Sequence, residues 1–107
     1  MPRDFQLYIN DIQHSCKKII KYTLNISQEQ FFKDDLIYDA VLRNLLIIGE
    51  AAKNIPENVR SLYPKIEWKK ICGFRDIVVH TYFGIDNAIV WDIIQTKIPV
   101  LLRELKK

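Results

Sequence analysis

Between two glycines the chain reads Gly73-Phe74-Arg75-Asp76-Ile77-Val78-Val79-His80-Thr81-Tyr82-Phe83-Gly84, with an arginine, a histidine and a tyrosine close together in otherwise apolar company. An imidazole titrates near neutrality and can take up or release a proton; a guanidinium stays charged and offers forked donors to phosphate oxygens. These are the groups needed to cleave RNA without a metal. That reaction requires a base for the 2′-hydroxyl proton, an acid for the leaving oxygen and a cation for the charge building at phosphorus. A structural reading competes with it: Arg75 pairs with an acid, Asp76 bonds His80 four residues on, and Tyr82 packs with its hydroxyl at the surface. A single histidine beside a core is more often satisfied structure than catalyst.

Spacing constrains the chemical reading. Arg75 and Tyr82 are seven residues apart and fall on nearly one helical azimuth, whereas Arg75 and His80 are five apart and diverge by about 140° on an ideal helix. Either the helix breaks between them or the working pair comes from two subunits. The chain supplies one histidine suited to the role, since His14 falls on a helix face with Lys17, Lys18 and Lys21 and is expected in solvent. If acid and base are separate groups, a twofold dimer presents two copies of Arg75 and His80 across one cleft.

The elements that must hold this segment read as helices. Asp4 can cap a first helix whose buried face is Phe5, Tyr8, Ile9, Ile12, Cys16, Ile19 and Ile20. Ser27 and Gln30 have capping-box spacing, and the helix they start bends or restarts near Lys33-Asp34-Asp35 before a run from Leu36 to Asn54 that Pro56 ends. In that run Leu45-Leu46-Ile47-Ile48 is apolar around a full turn, leaving a narrow polar stripe through Asp39, Arg43 and Glu50. Such a helix is central in a bundle or shared between subunits, and Glu50 is expected to pair with Arg43 on the same azimuth. Pro56-Glu57-Asn58 suits a short helix stopped by Pro64, followed by an amphipathic piece from Glu67 to about Val79. The run Ile77 to Phe83 is strand-like in composition but has no partner strand, so a helix that ends or distorts near His80 is expected, closed by Gly84. Asp86 then caps a last helix with Ile89 or Val90, Ile93 or Ile94, Ile98, Leu101 and Leu105 buried and a kink at Pro99.

Composition agrees and excludes much else. The 107 residues are one domain's worth, 49% apolar and 27% charged, as in a globular chain rather than a disordered one. Three glycines and four prolines are too few for a turn-rich all-β fold. The expected architecture is all-α: an antiparallel bundle of four main helices plus one or two short ones over residues 1–107. No apolar run is long enough to span a membrane and the start lacks a signal-peptide pattern, so a cytoplasmic location is expected. Cys16 and Cys72 are read as buried free thiols, with no metal site and no cofactor expected. From Arg60 to Arg75 there are five basic residues and one acidic one, with Tyr63 and Trp68 interleaved. That stretch could follow an RNA backbone, but a solvated face with Trp68 in the core is the commoner explanation.

Arg75, four residues, His80, one residue, Tyr82 resembles the Arg-x4-His-x-Tyr signature of the HEPN superfamily, with Asp76 at its polar position. Ile48-Gly49-Glu50-Ala51-Ala52-Lys53-Asn54-Ile55-Pro56, the Tyr63-Pro64 and Trp68 region, and Tyr82-Phe83-Gly84-Ile85-Asp86 followed by Ile89-Val90-Trp91 are similar to the HepT-like branch. The resemblance spans nearly the whole chain. It implies a dimeric helical bundle acting as a metal-independent endoribonuclease, the toxin of a prokaryotic toxin–antitoxin pair. Arg75 and His80 would be catalytic, with Asp76 orienting one of them. The implied partner is an MntA-type nucleotidyltransferase that transfers AMP to Tyr82, placing bulk and negative charge beside Arg75. The rival reading is a non-catalytic HEPN module that binds nucleotide or RNA, or scaffolds a nucleotidyltransferase; a third is a polar triad that only stitches a dimer.

Overall fold

Asp4 accepts a hydrogen bond from the Gln6 backbone N–H at 2.9 Å and starts α1 (Phe5–Thr23), whose Ile9, Ile12, Cys16 and Ile19 are buried. The structure is a computed structural model that describes residues 4–84 and 87–107. Phe5, the first residue of α1, departs from expectation and stays 40% exposed. The Ser27–Gln30 capping box forms in full and opens α2 (Gln28–Lys33). Asp34 then ends α2 and caps α3 (Asp35–Lys53) through the Ile37 N–H, so the chain restarts rather than bends.

α3 is the central helix. It packs against α1, α2, α5 (Trp68–Cys72) and α6 (Phe74–Tyr82), burying Val41, Leu42, Leu45 and Ile48. The helix that is apolar on most sides is thus largely covered by its own chain, as a central position requires. Asp39, Arg43 and Glu50 line its exposed stripe, but Glu50 does not pair with Arg43. Seven residues separate the two by about 10.5 Å along the axis, and other cations lie closer.

After α4 (Glu57–Arg60), Trp68 is buried and its indole N–H donates to the Arg60 carbonyl at 3.2 Å. The amphipathic piece expected from Glu67 to Val79 is two helices, α5 and α6, broken at Gly73. Beyond the break α6 packs closely on α3. A Cβ on Gly49 of α3 would meet the Arg75 backbone nitrogen at 3.1 Å. α6 is regular through His80 and, as expected, ends close to it, at Tyr82, with Gly84 in the left-handed region at φ 78°.

The last helix is α7 (Asn87–Asp92), a π-helical turn over Ile93–Lys97, and α8 (Ile98–Leu105). Its cap at Asp86 lies outside the described residues. Pro99 has no N–H to give the preceding turn, and the expected kink takes the form of that widened turn, with the Ile98 N–H reaching back to the Ile93 carbonyl. The wider turn buries Ile93 and Ile94 together, along with Val90, Ile98, Leu101 and Leu105. The architecture is the expected all-α bundle, without strands among the described residues. No helix among those residues is long and apolar enough to cross a membrane.

Candidate active site

α6 carries all four motif side chains on its open half. Phe74 and Thr81 are buried and Ile77 and Val78 half-buried, whereas Arg75, Asp76, Val79, His80 and Tyr82 are exposed. At about 100° per residue the exposed set spans roughly 160°, with Tyr82 and Arg75 along one edge and Asp76 and His80 toward the other. Both candidate chemical groups therefore face solvent. The regular helix keeps them about 7.5 Å apart along its axis and on opposite edges of that face.

The local contacts agree with the structural alternative at Arg75 and differ from it at Asp76 and Tyr82. No hydrogen bond joins Asp76 to His80 among the described residues, although Asp76 suits the first turn of α6, where the helix dipole favours an anion. Arg75 does meet an acid: its Nε lies 3.4 Å from Oε1 of Glu50, with both side chains about half exposed. The same carboxylate oxygen lies 3.6 Å from Nζ of Lys53. Tyr82 is 78% exposed and sets its ring edge-on to Phe83, with centroids 5.2 Å apart. Glu50 is the site residue that spacing missed, because 25 positions of chain separate it from Arg75. The readable signal was Gly49, a glycine inside an otherwise strong helix, which marks a close approach.

The basic stretch from Arg60 to Arg75 divides. Arg60 is consumed by structure: Nη2 donates to the Ala52 carbonyl at 2.9 Å and Nε to the Ile55 carbonyl at 3.0 Å, closing the C-terminal end of α3. Its guanidinium also sits 5.8 Å from the Trp68 ring centroid and 3.4 Å from Sγ of Cys72. Cys72 is thus half-buried beside a cation rather than fully buried; Cys16 is buried, and desolvation pushes its thiol up to about 12. Glu67 ties the α5 entrance to the π turn through Lys70 at 2.8 Å and Lys97 at 3.0 Å, and their hydrogen bonds hold its carboxyl below the usual range. His14 lies in solvent as expected.

An all-α bundle that offers an Arg, a His and a Tyr from the open face of one short helix is of the HEPN-like class. The family described as Ribonuclease HepT-like matches residues 12–107, and the chain belongs to it. It is 39% identical over 108 residues to a Methanocaldococcus jannaschii protein provisionally named as an RNase, covering 100% of this chain and 89% of that one. A Caldanaerobacter subterraneus subsp. tengcongensis protein, also provisionally named as an RNase, is 40% identical over 100 residues, 94% of this chain and 89% of its own. A Thermococcus cleftensis protein named "Probable ribonuclease HepT" is 37% identical over 107 residues, 100% of this chain and 97% of its own. No solved structure matches the chain significantly.

Proposed function

We propose that the chain is a metal-independent endoribonuclease, the toxin of a prokaryotic toxin–antitoxin pair, working from the open face of α6. The observation that carries the reading is the joint exposure of Arg75, His80 and Tyr82 on that face, in a member of the HepT-like family. His80 moves the proton, as base toward the 2′-hydroxyl or as acid toward the leaving 5′-oxygen. Arg75 receives the charge that builds on the phosphate, and Asp76 orients one of the two. Attack of the 2′-oxygen on phosphorus breaks the bond to the 5′-oxygen and leaves a 2′,3′-cyclic phosphate beside a new 5′-hydroxyl.

One protomer separates Arg75 from His80, and this supports a homodimer in which two α6 helices face one another across a twofold groove. There the Arg75 of one copy would stand over the His80 of the other. Exposed Val79, Tyr82 and Phe83 would give the groove an apolar margin. The cognate partner is a nucleotidyltransferase of the MntA type that adenylylates Tyr82, an exposed residue at the end of α6. Tyr82 and Arg75 share an edge of α6 two turns apart, so the adenylate phosphate would compete for the guanidinium that RNA needs.

The test is cleavage of defined RNAs in EDTA by wild type, Arg75→Ala and His80→Ala. Each variant is expected to lose at least about 100-fold in rate while keeping its helical circular dichroism. Undiminished cleavage by folded His80→Ala would remove that residue from the mechanism. Tyr82→Phe is expected to cleave RNA yet take no AMP from the partner, read by intact mass.

A further inference from the structure

We propose that Glu50 is a positioning residue for Arg75, holding the guanidinium by its Nε edge so that the Nη edge stays turned toward the open face of α6. Its consequence for RNA rests on the nuclease reading above; its geometric content does not. Nε of Arg75 lies 3.4 Å from Oε1 of Glu50, and among the described residues no other ion pair or hydrogen bond engages that side chain. With its Nε facing the carboxylate, the guanidinium keeps its two terminal nitrogens for a second, forked contact, the geometry that phosphate oxygens accept.

Two features make this a built contact rather than a chance surface pair. Gly49, the residue before Glu50, lets α6 come so near α3 that a Cβ would stand 3.1 Å from the Arg75 nitrogen and 3.4 Å from the Phe74 Cβ. The backbone that carries Arg75 is therefore fixed against the turn that carries Glu50. Second, Oε1 of Glu50 also lies 3.6 Å from Lys53. One carboxylate between two cations leaves the cluster a net charge of +1, so Glu50 can orient Arg75 without cancelling its attraction for a phosphate. Both members of the Glu50–Arg75 pair are about half exposed, so the contact adds little to folding and its value lies in orientation.

The experiment compares wild type, Glu50→Ala and Glu50→Gln as full chains, by single-turnover RNA cleavage and by the NMR signal of the Arg75 Nε–H group. Glu50→Ala is expected to lower kcat by about 10-fold with KM changed less than about 3-fold, because misorientation acts on the transition state more than on binding. Glu50→Gln keeps an acceptor at the same reach and is expected to recover to within about 3-fold of wild type. The Arg75 Nε–H signal should shift in Glu50→Ala and hold near its wild-type position in Glu50→Gln. Unchanged kcat in Glu50→Ala, or equal losses in both variants, would overturn the assignment while leaving the nuclease reading intact. If wild type cleaves no RNA, the nuclease reading fails and the NMR comparison decides alone. A shifted signal in Glu50→Ala then upholds the positioning contact, and an unmoved one overturns it.

Discussion

Arg60 and Arg75 stand fifteen residues apart in one basic stretch, and they differ in almost everything but side chain. Arg60 reaches back to the end of α3, donates to the carbonyls of Ala52 and Ile55, and lies over Trp68. Its donors are spent on backbone carbonyls at and just beyond the end of α3. Among the described residues Arg75 meets one carboxylate, that of Glu50, through Nε, and no hydrogen bond or other ion pair engages the rest of its fork. A guanidinium is structural or available according to how many of its donors the fold has already engaged. Charge count along the sequence does not register that difference.

Crossing the two arginines should give the largest effects and the sharpest contrast. Arg60→Ala strips two backbone carbonyls of a charged donor, an expected loss of about 2–3 kcal/mol, or a Tm lower by roughly 10 °C or more for a chain of this size. The molecules that remain folded should cleave RNA at close to the wild-type rate. Arg75→Ala should do the reverse, leaving Tm within about 3 °C while cleavage falls at least about 100-fold. Calorimetry and a cleavage assay on the same samples decide it; equal behaviour of the two variants would erase the distinction.

Gly49→Ala probes the packing beneath the site. The new methyl improves helix propensity by about 1 kcal/mol, but it meets the Arg75 nitrogen, the Phe74 Cβ and the Cys72 carbonyl at 3.1, 3.4 and 3.5 Å. Two of those are backbone atoms that cannot swing aside. A net loss of about 1 kcal/mol is expected, seen as a Tm lower by about 4–8 °C, together with reduced cleavage as α6 is pushed off α3.

The smallest effect concerns Cys16, buried on α1. Burial raises its thiol from an ordinary 9.0 to about 12 in the folded chain. Because the folded value lies above the unfolded one, this contribution to stability is complete below about pH 9 and is lost as pH rises toward about 12. Denaturant titrations should show a steeper decline across that window for wild type than for Cys16→Ala. In the native protein at pH 8 the thiol should resist alkylation, whereas half-buried Cys72 should react faster.

Periodicity and capping chemistry located most of the bundle without reference to the fold. The Asp4 cap, the Ser27–Gln30 box, the restart at Asp34, the left-handed Gly84 and the buried stripe of α8 all follow from interactions within four or five residues, which a linear reading samples in full. The motif residues were equally legible, as types at a spacing. Contacts between distant segments were not. The Glu50 partner was misassigned to Arg43 because a helical wheel holds only neighbours on its own helix, while the true partner arrives on α6. The closure of α3 by Arg60 likewise joins two different helices, which a periodicity reading along one helix does not register. Local hydrogen bonding and side-chain pattern fix where helices begin and end. Which donor of an arginine remains for chemistry is settled only when two helices meet at a glycine.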